Sequence, residues 1–493
     1  MKKLLSLVCA LVFILALFNC KIENNDEDNP VPTLTSFGPA SKVAHMPTFT
    51  LAVYGSNFVA GSRIVFNGFE KATTYVNDTE LNCQITPDDT LSNSPRIEND
   101  DQVSSKKDSL VGVFVRNPSP GGGDSSPLNF TIYSNHSFYT SQNISNSLGD
   151  SNDPDIVLDS TGNINVAWSD DSTGVYEIYF SRSSDNGATW SLPVNISWTA
   201  ALSWKPAIAV NSVDDLFVVW ADFALDERIF FSRSTDYGAT WSPPVNLSGA
   251  AIGTNPAIAV DGSGNINVAW NYYTSSLNDI YFSRSTDNGV NWTPPVNVSW
   301  TTGWSWTPAI AADTSGNLFV VWWDLTVNEE IYFSRSTDSG ASWSFPLNLS
   351  NTPIGESTHP DIAVDISGNI NVIWDDEFPD PDELVYFSRS TDGGATWTSP
   401  ADISGNAPFD YGSVIAVDTA VNINAVWRSW TTGKPELFFS RSIDDGANWS
   451  FPVNVSNITP HCENQAVAVD SAGNIYIVWE GADGEIYFNN SVP

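Results

Sequence analysis

The chain has 493 residues, enough for two or more domains around large buried cores. Its 57 acidic residues against 20 basic ones give a net charge of −37, which excludes nucleic acid and anionic lipid as partners, because both need clustered Lys and Arg. The acidity names no function by itself, since solvation in a salty exterior favours the same composition.

Residues 1–20 carry Lys2 and Lys3, an apolar run from Leu4 to Phe18, and Cys20. This is the pattern of a signal peptide whose apolar stretch is too short for a membrane-spanning helix. With Leu17-Phe18-Asn19-Cys20 where a lipobox would stand, the segment resembles a bacterial lipoprotein leader. The resemblance implies export, lipidation at Cys20 and residence in the cell envelope as an outer-membrane lipoprotein. Phe18 and Asn19 depart from the small residues usual there, so ordinary secretory cleavage or an uncleaved anchor is the alternative. Residues 21–29 are acidic and polar, the composition of a tether. Cys83 and Cys462 fall in different domains, so each is expected to be a small buried hydrophobe and not half of a disulfide.

Residues 30–134 form the first domain. Phe49–Gly55, Arg63–Gly68, Leu110–Val115 and Leu128–Ile132 alternate apolar and polar and predict strands of a small sandwich. Pro32, Ser36 and Pro39, then Tyr54-Gly-Ser-Asn-Phe58, Val65-Phe-Asn-Gly68 and Val115-Arg-Asn-Pro-Ser-Pro120, resemble an IPT/TIG immunoglobulin-like domain. That resemblance implies a spacer or interaction module. The polar insert Asp88–Asp108 has no apolar period and is expected to be a loop. Gly121–Gly123 lacks the Lys and helix of a phosphate loop, so no nucleotide site is expected.

Residues 138–493 follow another grammar. The octapeptide Ser183-Ser-Asp185-Asn-Gly187-Ala-Thr-Trp190 returns with its Asp at Asp236, Asp287, Asp338, Asp392 and Asp444, spaced 51, 51, 51, 54 and 52 residues apart. In one unit, Pro256–Asp261, Ile266–Trp270, Ile280–Ser285 and Pro295–Ser299 each alternate at period two around turns, which is four short antiparallel strands per repeat. The motif S-x-D-x-G-x-x-W resembles the Asp-box, or BNR repeat, of sialidase-like β-propellers. Second-strand ends at Trp168, Trp220, Trp270, Trp322, Trp374, Trp427 and Trp479 count seven units. The last stops after Phe488, and its missing strand matches Phe138–Ser145. The expected fold is therefore all-β: an Ig-like sandwich followed by a seven-bladed propeller closed by an N-terminal strand.

Residues common to every repeat are expected to be architectural. The Asp of each box accepts turn amides, Gly supplies φ > 0, and Trp fills the gap between blades. Arg182, Arg233, Arg284, Arg335, Arg389 and Arg441 share one slot and are expected to pair with the Asp that closes each first strand. Turns such as Asp261–Asn265 use ordinary hairpin residues, and neither metal nor cofactor is expected.

Function is sought where the pattern breaks. Seven Trp fall outside repeated slots: Trp198, Trp204, Trp300, Trp304, Trp306, Trp323 and Trp430. The resemblance puts most of them on the face opposite the Asp-box turns, where such proteins bind ligand. Exposed indoles beside Asp324, Asp375, Asp376 and Arg428 suit sugar rings, against the plainer reading that they pack loops onto the ring. A sialidase would need three arginines, a Tyr–Glu nucleophile pair and an Asp acid/base. Outside the repeated slots this unit offers only Arg228 and Arg428. The four His residues, His45, His136, His359 and His461, have neither metal-ligand nor triad spacing. The expected function is an envelope protein that binds an extracellular glycan or protein. The alternative is a glycoside hydrolase using a pair such as Asp375 with Asp376, or Glu356 with Asp410.

Overall fold

The computed structural model describes residues 29–39, 41–43, 48–86, 109–133, 138–199, 201–223, 227–273, 277–326, 328–352, 355–376, 384–405, 410–430, 433–456 and 462–491. The leader with Cys20, nearly all of the tether, the 88–108 insert, His45, His136 and His461 lie outside them. Two compact units divide after Ser134, and every regular element among the described residues is a strand.

In the first unit one sheet runs Thr33–Gly38, Phe49–Ser56, Glu80–Ile85, Thr73–Asn77. The other runs Ser41–Val43, Leu128–Tyr133, Ser109–Asn117, Arg63–Phe66, Phe69–Glu70. Alternate residues of both turn inward, and Leu51, Val53, Ile64, Phe66, Val113, Val115 and Phe130 make the core between them, with Cys83 buried among them.

In the second unit the described residues form seven four-stranded antiparallel sheets, numbered 1 to 7 by their first strands Ser151–Leu158, Ser203–Val210, Ile252–Val260, Ser305–Ala312, Ser357–Val364, Asp410–Val417 and Cys462–Val469. Sheet 3 is typical: Ile252–Val260, Ile266–Tyr273, Asn278–Ser285 and Val296–Asn297, in that order. Its second strand is buried on both sides because alternate residues serve two interfaces. Ile266, Val268 and Trp270 pack toward sheet 2, while Ala269 packs toward sheet 4. The seven strand-ending Trp residues are at most 1% exposed. This face-to-face packing of four-stranded sheets makes the unit a β-propeller. The last sheet combines Cys462–Val469, Ile475–Gly481 and Ile486–Asn490 with Gln142–Asn143.

The Asp-boxes behave as architecture. Asp236 accepts the Thr240 amide at 2.8 Å, and the other five Asp residues accept the corresponding amide at 2.8 to 2.9 Å. Hydrogen bonds led by the Ser342 and Thr396 hydroxyls hold Asp338 and Asp392 down at about 2. Each box grips a Phe of the preceding sheet. Trp241 meets Phe180 edge-on at 5.2 Å, and a Cβ on Gly238 would overlap the same ring. Trp190 and Gly187 grip Phe488 of the last sheet in the same way.

The repeated Arg slot forms the expected ion pair in four repeats: Arg182–Asp159, Arg284–Asp261, Arg389–Asp365 and Arg441–Asp418, at 2.5 to 2.9 Å. In the repeat of Arg233 the Asp is replaced by Asn211, and Arg233 donates to the Asn288 carbonyl, while Arg335 donates to the Gly393 carbonyl.

Candidate functional site

The first strand of each sheet lies against the first strand of the next, and Ser151–Leu158 also meets Cys462–Val469. Every one carries a β-bulge near its start, where register slips between pairs such as Trp204/Ala207 and Trp306/Ala309. One residue in each bulge has positive φ: Asp153, Lys205, Asn255, Thr307, His359, Gly412 and Asn464. Six of the seven are not Gly, and bulges holding such conformations are a known way to re-aim side chains at a site.

Fixed points flank the bulge. On one side a buried Ser hydroxyl donates to a buried Asp on the second strand: Ser151 to Asp170, Ser203 to Asp222, Ser305 to Asp324 and Ser357 to Asp376, at 2.7 to 2.9 Å. On the other side the strand resumes its repeated apolar run, as in Ala207-Ile208. Between them the sheets differ. The first strands present Asn152, Trp204, Thr254, Trp306, Thr358, Tyr411 and Glu463. Opposite these stand Ser169, Ala221, Asn271, Trp323, Asp375, Arg428 and Glu480.

These irregular side chains link neighbouring sheets. Lys205 Nζ donates to Asn255 Oδ1 at 2.7 Å, and Asn271 Nδ2 to the Ser305 carbonyl at 2.9 Å. Arg428 pairs with Glu463 at 2.8 Å while its guanidinium lies 3.7 Å from the Tyr411 ring centre. Within the last sheet, Asn464 donates to Glu480 at 2.9 Å. Burial, with repulsion from Asp153 and Glu463, pushes the Glu480 carboxyl up to about 7. Asp155 and Asp361 accept the Ile208 and Ile415 amides of the next sheet at 2.8 Å, and desolvation pushes both up to about 6.

The unpatterned indoles gather around this belt. Trp306 stacks on Trp323 at 5.7 Å, with Trp304 at 6.1 Å and Tyr273 edge-on at 5.6 Å, a shelf of four rings with Trp304 half exposed. Trp204 rests edge-on against Phe223 at 5.0 Å, and the Trp430 Nε1 donates to the Tyr411 hydroxyl at 3.1 Å. Trp198 and Trp300 are the most open, 75% and 65% exposed. Both have positive φ, and each amide is held at 3.1 Å by Asn195 or Asn297. At the same turn the other described sheets use Asn146, Gly249, Asn351 and Gly405. A bulky side chain there costs about 1–2 kcal/mol.

The acids expected beside the indoles are not on an open face. Asp324 is fully buried among the Thr301, Ser305 and Thr326 hydroxyls. Adjacent strand residues point to opposite sides. Asp376 therefore takes the Ser357 hydroxyl and the Trp374 indole, while Asp375 takes the Gly412 amide and the Ser413 hydroxyl. Asp375 and Asp376 thus do not face a common point as an acid/base pair. Trp204, Trp306, Trp323 and Arg428 stand on the belt. Asp153, Asn255, Tyr273, Tyr411 and Glu463 are belt residues that the sequence reading did not single out, although the slot before the repeated Pro points to Asp153 and Asn255. A cavity of about 470 Å³ lies away from the belt, among Phe180, Arg182, Trp190 and Tyr237 of the Asp-box turns.

Residues 32–132 match the IPT/TIG domain model. This segment is a TIG domain. The chain is similar to a xyloglucanase of Paenibacillus sp., 24% identical over 316 residues that cover 60% of this chain and 25% of that protein. The chain thus spans a quarter of that curated relative's length. Among solved structures it is similar to the BP39L lectin of Burkholderia pseudomallei, with a TM-score of 0.55, 14% identity, and 69% of this chain and 95% of the lectin covered. A polysaccharide lyase, the PL25 ulvan lyase, aligns with a TM-score of 0.52 and 11% identity over 70% of this chain and 95% of its own. These two share the fold of the unit that follows the TIG domain.

Proposed function

We propose that this is an exported envelope protein, anchored by lipid at Cys20 and extended by its TIG domain, whose propeller binds an extracellular glycan or glycoprotein. In this reading the seven sheets close as a ring, sealed by the pairing of Gln142–Asn143 with Ile486–Asn490. The observation that carries the proposal is the pair Trp198 and Trp300, two largely exposed indoles on strained turns where other sheets use Asn or Gly. Packing does not require them, and a flat indole offers the apolar C–H face of a sugar what it needs. The names of the xyloglucanase, the lectin and the ulvan lyase point the same way. The test is retention of the purified protein on immobilised glycans without release of sugar. Trp304→Ala with Trp306→Ala should weaken retention at least tenfold, and an unchanged signal would refute the role of the shelf.

A glycoside hydrolase is the second reading. Glu480 favours it, because a carboxyl held near 7 at the rim of the belt has the form of a general acid at neutral pH. Sugar release by the wild type that Glu480→Gln reduces at least 100-fold would put this reading first.

A further inference from the structure

The two most exposed indoles belong to a duplicated unit. Asn195-Ile-Ser-Trp198-Thr199 and Ser203-Trp204-Lys-Pro-Ala-Ile208 return 102 residues later as Asn297-Val-Ser-Trp300-Thr301 and Ser305-Trp306-Thr-Pro-Ala-Ile310. The structure gives the copies the same build. Trp198 and Trp300 have φ of 51° and 48°. The Thr199 and Thr301 hydroxyls stand 3.2 Å from the Ser203 and Ser305 hydroxyls. The second indole of each copy follows at the bulge, braced by Phe223 in one and Trp323 in the other. Sheets 2, 4 and 5 end in Leu247-Ser248-Gly249, Leu349-Ser350-Asn351 and Ile403-Ser404-Gly405, with no indole at the turn. The unit therefore recurs two sheets apart and is skipped between.

We infer that Trp198 with Trp204, and Trp300 with Trp306, form two equivalent saccharide stations, so that one chain grips one uncharged polysaccharide at two points. This rests on the glycan-binding reading above and adds to it a valency and a ligand class. Two like stations on a rigid scaffold raise affinity for a polymer that spans them without raising it for a fragment that fills one. A net charge of −37 repels sulfated and uronic acid chains and leaves neutral ones favoured.

The experiment is calorimetric titration of the full chain with cellohexaose, xylohexaose, mannohexaose and chitohexaose, beside affinity electrophoresis in xyloglucan, galactomannan and ulvan. Trp198→Asn, Trp300→Asn and the double variant adopt a residue already used at this turn, so the fold is not at risk. The expected result is two molecules of a bound hexasaccharide per chain, one in each single variant and none in the double. Retardation by the neutral polymer should weaken at least tenfold in each single variant. One hexasaccharide per chain, or loss from only one variant, overturns the two-station inference and leaves glycan binding standing. Retention by ulvan alone overturns the ligand class. Binding to no member of the panel overturns this inference and the glycan-binding reading together.

Discussion

Gly238→Ala is the sharpest test of how neighbouring sheets are held. Gly238 has φ of 85°, and a Cβ built there would overlap Cε1 of Phe180 and stand 2.6 Å from Cζ. Backbone strain contributes about 1 kcal/mol. Forcing Phe180 away from its edge-on seat against Trp241 adds about 1–3 kcal/mol, the usual cost of an overpacked core. Gly264 separates the two effects, since its φ is 79° but nothing lies within 4 Å of its Cβ position. Gly264→Ala should therefore cost about 1 kcal/mol and Gly238→Ala about 2–4 kcal/mol. Urea unfolding followed by Trp fluorescence measures both, and Phe180→Leu should recover part of the excess in the Gly238→Ala background. Equal costs at the two glycines would refute the claim that the box glycine exists to admit the neighbouring ring.

Three further outcomes are expected. Asp261→Asn removes one partner of a buried ion pair with Arg284 and should cost about 3–5 kcal/mol, whereas Asp313→Asn, whose Arg335 donates to the Gly393 carbonyl, should cost under about 1 kcal/mol by the same denaturation assay. Burial pushes Asp410 up to about 7, above the roughly 4 of an unfolded carboxyl. The native state then binds the extra proton, so this group's stabilisation falls as pH rises from about 4 to about 7 and is flat above. Asp410→Asn should flatten that slope in melting curves between pH 5 and 8, and an unchanged slope would count against it. Removal of the leader Cys in Cys20→Ser should leave the protein soluble after cell fractionation and unlabelled by radioactive palmitate; membrane retention equal to wild type would sink the lipid anchor.

The periodic parts of the fold were legible in the sequence because each repeated side chain has one job. Period-two runs marked the strands, and the spacing of Asp185, Asp236 and their successors marked the sheets. The site was less legible, since it sits on the bulges. In sheet 3 the first strand reads as starting at Pro256 but begins at Ile252. The left-handed Asn255 breaks the alternation that would have joined the two pieces. The acids two residues past four of the strand-ending Trp misled for another reason. Asp170, Asp222, Asp324 and Asp376 look like solvated loop carboxylates until each is matched with the Ser 19 residues before it. That constant offset marks them as internal locks, and it was present in the sequence. Trp198 and Trp300 were visible as exceptions, but the cost of their backbone conformation was not.

The grip of Gly187 and Trp190 on Phe488 has a consequence for biogenesis. Sheet 1 is synthesised early, yet the ring it clasps arrives some 300 residues later. Until then its flank stays uncovered, open to chaperones, proteases and other nascent chains. Arrival of Phe488 then acts as a single maturation checkpoint, and a message cut short anywhere upstream yields a product that never hides that flank.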